Sequence, residues 1–428
     1  MSRAAPTVAL FPEASFGAAL NCIGIAQALR ERGARPVFIC HPGFSGLFAD
    51  YGFPEHHLSA PAAERRPDTW QAFVERHLPH FNLSPVEQLD TYVGPTWEAI
   101  VDTAIGVEAS LRQLLARLKP DAVVLDNVVM FPALAASGVP WVRMISCAET
   151  ELPDPSVPPY LSGLAADDPA RPLFEKRYLE AVAPAHERFN RFRASVGLPA
   201  LDAGIFLETS PWLNLLLTPA IVRRERVHPL DPQRFVYLEG CVRSEGPFDL
   251  PDFPRGEGPL VYLGFGSLGA GDTDLIERMI GVFAAMPARF IVNVGGLRET
   301  YRAVPDNVYL DAWFPQPSVV SQCDLFIHHG GNNSFCEALY FGVPSLVMPY
   351  CWDGHDNAQR AVETGVGLRL DRAAWTPDEL TSTITSLLGD RPMRQRLAAN
   401  ARKMAAEPGT ARAAEAVLEM LRNSLLEN

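Results

Sequence analysis

The stretch Leu325-Phe326-Ile327-His328-His329-Gly330-Gly331-Asn332-Asn333-Ser334-Phe335-Cys336-Glu337 decides how this chain is read. Its opening apolar run has the length and composition of a buried parallel strand. Two imidazoles, two glycines, two amides and a hydroxyl follow, and a helical pattern begins at Phe335. At such a junction the unpaired N–H groups and the positive end of the helix face an anion. Gly330 and Gly331 permit close backbone approach, while His329, Asn333 and Ser334 can donate to phosphate. Glu337, one turn into the helix, is placed to accept from a sugar hydroxyl. His328 reads as structural.

Working outward, Gly264-Phe265-Gly266-Ser267-Leu268-Gly269 fits G-x-G-x-x-G after an apolar strand. That pattern alone is weak evidence for a dinucleotide. The acid expected about 20 residues later is missing, because the next strand ends Ile291-Val292-Asn293-Val294. Gly266 and Ser267 are therefore read as a phosphate-facing loop. Trp313-Phe314-Pro315-Gln316 follows another strand, where an aromatic plane can stack a nucleobase; a core tryptophan is the bland alternative. After the strand Ser345–Met348 comes Pro349-Tyr350-Cys351-Trp352-Asp353-Gly354-His355-Asp356-Asn357-Ala358. Ligands of open α/β sheets bind beyond the carboxyl ends of the strands, so Asp353 can meet the ligand of His329 and accept from sugar hydroxyls. His355 and Asp356 read as solvated.

The frame around these segments is α/β. Strands are expected at Thr7–Phe11, Pro36–Cys40, Ala122–Leu125 and Trp141–Ile145, with helices at Asn21–Arg32, Glu108–Leu118 and Phe174–Val196. A second set begins at Leu260–Phe265 and continues at Arg289–Val294, Val308–Asp311, Leu325–His328 and Ser345–Met348. Strands alternating with helices imply parallel sheets covered on both faces. The segment from Phe44 to Trp97, rich in aromatic and His residues and broken by prolines, suits a ligand mouth. The proline- and acid-rich stretch Leu152–Pro172 reads as an excursion or lid.

At 428 residues the chain is too long for one ordinary core. The expected division is 1–240, a Pro/Gly linker 241–258, 259–409, and a last helix (roughly Thr410–Leu426, striped with Val417, Leu421 and Leu425) that docks elsewhere. Composition is that of a soluble globular protein, 47% hydrophobic and 20% charged. A net charge of −13 argues against nucleic acid and anionic membrane as partners. Neither a signal segment nor a membrane span is apparent, so the expected location is cytoplasmic. Seven cysteines without a C-x-x-C pattern read as reduced and structural.

The order W-x-P-Q (Trp313–Gln316), H-G-G-x-x-S-x-x-E (His329–Glu337), G-V-P-x-x-x-x-P (Gly342–Pro349) and D-x-x-D-N-A (Asp353–Ala358) resembles the donor signature of nucleotide-sugar glycosyltransferases. The resemblance is to the GT-B fold and the family 1 type, which includes macrolide and other natural-product enzymes. It implies two Rossmann-like domains facing across a cleft, with the last helix packing back on the N-terminal one. It also implies base stacking on Trp313 and diphosphate binding by Gly266, Ser267, His329, Asn333 and Ser334. Glu337 would take the ribose and Asp353 the donor sugar, with Gln316, Gly331, Asn332 and Trp352 completing the donor side. Phe16, Ala18, Phe81 and Glu149 are the acceptor-side candidates. The implied reaction is metal-independent, inverting transfer from a nucleoside diphosphate sugar to a small-molecule acceptor, without a cofactor. Asp272 and Asp274, which spell D-x-D, read as a helix cap rather than a metal site. A homodimer is an open expectation.

The pattern breaks in two places. Family members usually carry a histidine in the first loop, oriented by an aspartate at the end of a later strand. Here the histidine's place falls at Gly17-Ala18, while the aspartate's counterpart, Asp126, is present. Three readings follow: a nearby carboxylate, Glu13 or Asp126, serves as base; the acceptor is a self-ionised thiol or thione, as in S-glycosylation of a lincosamide-like antibiotic; or the chain is a silent auxiliary of another transferase. The second break is Gly354, where the family often has glutamine, and a glycine there is expected to open space for a deoxy or enlarged sugar.

Overall fold

The computed structural model describes residues 5–59, 75–254 and 257–424. Its chain forms two parallel sheets. The first comprises β1 (Thr7–Pro12), β2 (Arg35–Cys40), β3 (Glu55–His57), β4 (Ala122–Asp126), β5 (Trp141–Ile145), β6 (Leu213–Leu217) and β7 (Phe235–Leu238), in the order β3-β2-β1-β4-β5-β6-β7. The second comprises β8 (Leu260–Gly264), β9 (Arg289–Asn293), β10 (Val308–Asp311), β11 (Leu325–His328), β12 (Ser345–Val347) and β13 (Gly367–Arg369), ordered β10-β9-β8-β11-β12-β13. Every strand pair in both sheets is parallel. Central strands β1, β4, β8 and β11 are buried along their whole length. Helices cover both faces of such sheets, so their strands carry near-continuous apolar runs.

In the first half, helix α1 (Phe16–Glu31) links β1 to β2 and begins five residues before the sequence expectation. Ser15 is the reason: its side chain accepts from the Ala18 N–H and caps the first turn. Helix α2 (Gly94–Leu118) also starts upstream of its expected Glu108, and α3 (Arg171–Ser195) runs through Pro184. Apart from single-turn pieces, the other helices among the described residues are α4 (Thr273–Phe283), α5 (Asn332–Phe341), α6 (Gly354–Glu363), α7 (Pro377–Gly389), α8 (Arg391–Ala406) and α9 (Gly409–Ser424).

Helix α9 leaves the second half and packs on α1, burying Ala413, Ala414, Val417 and Leu421 with Ala19, Cys22 and Ile23. The crossing is close. A Cβ on Gly24 would lie 2.9 Å from the Cys241 carbonyl oxygen and 3.0 Å from Thr410 Cγ2. Leu425, expected on the same stripe, lies outside the described residues. The aromatic segment after Phe44 is described only in part, since residues 60–74 lie outside them too.

The carboxyl ends of the two sheets meet. Asn332, at the start of α5, donates from Nδ2 to the carbonyl oxygens of Ser146 (2.9 Å) and Leu217 (2.8 Å), just beyond β5 and at the end of β6. Asp356 on α6 accepts from Thr150 Oγ1 at 2.6 Å and from the N–H groups of Leu161 and Gly163 at 2.8 Å each. His355 Nε2 meets Gln88 Oε1 at 3.1 Å, and Gln88 donates to the Tyr350 carbonyl. His355 and Asp356 are thus buried clamps between the halves, not solvated residues. Periodicity could not show this, because their partners lie more than 190 positions away in sequence.

Candidate active site

One wall of the cleft is the junction of β11 and α5. Gly330 takes φ +90°, and its N–H donates to His328 Nδ1 at 3.1 Å, giving His328 its structural role. The His329 ring lies on Tyr350, with centroids 4.8 Å apart and planes 20° from parallel. It is clasped by two glycines: a Cβ on Gly331 would collide with Nε2, and one on Gly266 would lie 2.8 Å from Cε1. Burial, then the nearby Arg372 guanidinium, lowers the His329 pKa to about 4, so the ring is neutral at pH 7. Its Nδ1 is buried without a partner among the described residues. The neutral ring can hold a proton on that nitrogen and donate it to an oxyanion.

At the α5 N-terminus the Asn332 N–H donates to Asp353 Oδ2 at 2.9 Å. The N–H groups of Asn333 and Ser334 have no acceptor among the described residues, and Gly266 and Ser267 are exposed opposite them. Trp313 is 61% exposed, an open aromatic face rather than a core residue. Arg372, passed over in the sequence, is buried behind this wall; it pairs with Asp272 at 2.7 Å and lies over Phe265 and Tyr350. Asp272 caps α4 by accepting from the Leu275 N–H.

Several candidates are placed differently from expectation. Glu337 is 0% exposed. Its Oε1 accepts from Arg243 Nη1 at 2.9 Å and its Oε2 from Gln316 Nε2 at 2.6 Å, so a sugar hydroxyl reaches it only if Arg243 yields. Gln316 is occupied by Glu337 and Ser334. The Asn332 side chain bridges to the first sheet and offers nothing to a ligand. Trp352, in a left-handed turn with φ +54°, swings toward Trp97 (5.6 Å between centroids) and Tyr160 (6.1 Å), so it walls the other side of the cleft. Gly354 does not open space: a Cβ there would sit 2.6 Å from the His329 carbonyl oxygen.

The opposite wall carries carboxylates. Asp126 ends β4, accepts from Ser146 Oγ at 2.6 Å and has Cys22 Sγ 3.8 Å from Oδ2. The Glu13 N–H donates to the Asp126 carbonyl oxygen at 2.6 Å, which holds the first loop against β4. Burial raises Asp126 to about 7, against the pull of Ser146 and Arg143. Glu13 reaches about 7 through burial and then the charges of Asp126 and Asp353; Asp353 reaches about 7 through burial, opposed by the Asn332 N–H.

Nearby opens a cavity of about 270 Å³, walled by Trp97, Phe206, Tyr160, Tyr178, Pro158 and Glu151 among others. Trp97 and Phe206 are stacked, 3.9 Å between centroids. The proline-rich stretch after Leu152 supplies one side and is pinned by Asp356. All four acceptor-side candidates lie off this cavity. Glu149 accepts from the Arg224 N–H (2.9 Å) and Tyr237 hydroxyl (3.0 Å) and pairs with Arg226. Phe81, 1% exposed, is wedged against Tyr92 and Tyr350. Phe16 is 45% exposed, tilted on Phe44 at the rim. Ala18 is buried in the first turn of α1. Glu151, two residues past the chosen Glu149, was missed because a single turn sends the two side chains to different sides.

Away from the cleft, Cys40, Glu55 and His57 bring three donor atoms within 4.8 Å at the β2–β3 edge. Glu55 is already used there by the N–H groups of Gly46, Phe48 and Ala49. Among the described residues no helix is long and apolar enough to cross a membrane.

Residues 277–420 match the family described as "Erythromycin biosynthesis protein CIII-like, C-terminal domain". The oleandomycin glycosyltransferase of Streptomyces antibioticus is 23% identical over 422 residues, covering 96% of this chain and 90% of that protein. Among solved structures, the glycotransferase of kitacinnamycin superposes with a TM-score of 0.72 at 22% identity, over 97% of this chain and 99% of that one. Glycosyltransferase VinC, solved in complex with dTDP, gives 0.67 at 18% identity, over 97% and 100%.

Proposed function

We propose, from the fact that this chain is a GT-B glycosyltransferase related to the macrolide and natural-product glycosyltransferases, that it moves a sugar, with inversion, from a nucleoside diphosphate to a small apolar acceptor. The observation that carries the reading is the His329 ring clasped by Gly266 and Gly331, with its Nδ1 unpartnered among the described residues. The diphosphate rests at the α5 N-terminus, receiving the N–H groups of Asn333 and Ser334, the Ser267 hydroxyl and His329. These donors are fixed before the reaction, so negative charge developing on the departing diphosphate meets ready dipoles. Trp313 stacks the base and Asp353 holds the sugar. VinC was solved with dTDP, and thymidine diphosphate is the nucleotide proposed here.

On the acceptor side, the cavity's aromatic and apolar lining, with a few convergent polar groups, is that of a small-molecule site. With Ala18 where an imidazole is usual, the proton of a hydroxyl acceptor goes to a cleft carboxylate. Burial has raised several of these into the neutral range, where a base is most effective. A thiol acceptor, which needs no strong base, is the second reading that Ala18 leaves. The test is calorimetric titration with dTDP, UDP and GDP, followed by a diphosphate-release assay with a hydroxyl and thiol acceptor panel. Failure to bind any of the three nucleotides overturns the donor assignment.

A further inference from the structure

Three carboxylates line the acceptor cavity: Asp154, Glu175 and Glu151. Asp154 is saturated, accepting from Ser156 N and Oγ, Val227 N and His228 N at 2.6–3.1 Å. These bonds pull its proton affinity well below the usual carboxylate range, so it is a poor base. Glu175 is paired with Arg171 at 2.8 Å. The Glu151 carboxylate alone has no hydrogen bond or ion pair among the described residues. It sits in the turn Glu149–Glu151, a few residues beyond the carboxyl end of β5 and therefore at the cleft.

Neither candidate from the sequence matches that position. Asp126 and Glu13 do not line the cavity, and Asp126 already accepts from Ser146. Glu151 belongs both to the cavity and to the electrostatic neighbourhood of Asp353, Glu13 and Asp126. Tyr160, also on the cavity wall, has a buried hydroxyl without a partner among the described residues, so the site offers a polar group to a ligand at this end. Much of the remaining lining is flat or apolar: the Trp97–Phe206 stack, Val128, Val157 and prolines 153, 158 and 159.

We propose that Glu151 is the catalytic base, receiving the proton of a hydroxyl on a planar, apolar acceptor that lies against the Trp97–Phe206 wall. The inference rests on the donor-side reading above. In the step, the acceptor O–H bond breaks toward a Glu151 carboxylate oxygen as the acceptor oxygen bonds to the anomeric carbon. The bond from that carbon to the diphosphate oxygen breaks, and its electron pair leaves with the diphosphate held by His329 and α5. Burial, followed by the charges of Asp353, Glu13 and Asp126 and opposed by Arg143, raises Glu151 well above the ordinary glutamate value.

The experiment compares wild type, Glu151→Gln and Glu13→Gln with dTDP-glucose or UDP-glucose and two flat acceptors. One is 4-methylumbelliferone, whose hydroxyl must lose a proton, and the other 3,4-dichlorothiophenol, ionised at neutral pH. Glu151→Gln is expected to cut transfer to the hydroxyl about 10²–10⁴-fold, while transfer to the thiolate and dTDP affinity stay near wild type. Equal loss with both acceptors, or no loss with the hydroxyl, overturns the role of Glu151. A larger selective loss in Glu13→Gln reassigns the base and also overturns it. Wild type that binds nucleotide but turns over neither acceptor overturns the planar class. Wild type that binds no nucleotide sinks the donor reading itself, a failure visible before any acceptor is added.

Discussion

Replacing Arg243 with methionine tests the least expected contact of the donor wall. Arg243 is 5% exposed, and its Nη1 lies 2.9 Å from Oε1 of Glu337, which is 0% exposed. Its Nε also pairs with Glu245, which receives the Tyr51 hydroxyl at 2.7 Å. The substitution leaves Glu337 with only the amides of Gln316 (2.6 Å) and Asn333 (3.4 Å), and Glu245 with Tyr51. Breaking a buried pair from one side costs about 3–5 kcal/mol, because the remaining charge is stranded. At roughly 2–4 °C per kcal/mol for a domain of this size, the Tm should fall by about 6–20 °C at pH 8. Burial already raises Glu337 above the ordinary glutamate value of 4.5, and Arg243 opposes that shift, so its loss raises the pKa further. A carboxyl with a raised folded-state pKa contributes stability that is full below 4.5 and lost as pH climbs through the folded value. The variant's deficit should therefore shrink between pH 8 and pH 5. Adding Glu337→Gln should restore part of the loss, since no charge is then stranded at 337. Thermal scans of wild type, single and double variants at both pH values measure this. A deficit under about 1 kcal/mol, the size of an exposed pair, or one indifferent to pH, would refute the burial argument.

Trp313→Ala removes an exposed stacking face and should weaken nucleotide binding by about 1–3 kcal/mol with the Tm unchanged; calorimetry and a thermal scan check both. Gly331→Ala needs no change of backbone, since φ is −54°, but its Cβ would collide with His329 Nε2. Displacing the ring should weaken dTDP by about 1.4 kcal/mol or more, tenfold in Kd, and leave thymidine binding untouched; equal losses for both would mean His329 does not meet the phosphates. Asp356→Ala strands the Thr150 hydroxyl and two N–H groups, each worth about 1–3 kcal/mol when left unpaired. Transfer and Tm should fall while nucleotide affinity holds, because the clamp joins the two halves and does not touch the donor wall.

The donor wall was legible because its signals are local. A helix N-terminus, two glycines and His329 occur within a few consecutive positions, and their chemistry follows from the backbone geometry such a junction must adopt. Central strands were legible for a similar reason, as apolar runs such as Ala122–Leu125 have no solvent-facing side to break them. Strands β6 and β7 escaped: Leu213–Leu217 carries Asn214 near its start, whose amide is satisfied by Ser210 and Arg234 backbone groups, and β7 is an edge strand only partly buried. Asp356, Arg243 and Trp352 escaped for another reason. Each acts on residues from the other half or the linker, so its role exists only once both sheets are in place.

The absent histidine gains a physical meaning from the fold. Ala18 and Cys22 share one face of α1, being four residues apart, and Cys22 Sγ lies 3.8 Å from Asp126 Oδ2. Position 18 therefore does look toward the aspartate that an imidazole would need, and alanine leaves that approach unfilled. What an imidazole would contribute is a proton affinity near neutrality. Here Glu13, Asp126 and Asp353 are each raised to about 7, chiefly because the cleft withholds water from several carboxylates at once. A group of carboxyls desolvated together cannot all ionise cheaply, so near pH 7 the cleft both holds and accepts protons. The same burial that would be a liability in a structural core gives the cleft, without histidine, carboxyls that titrate near neutrality.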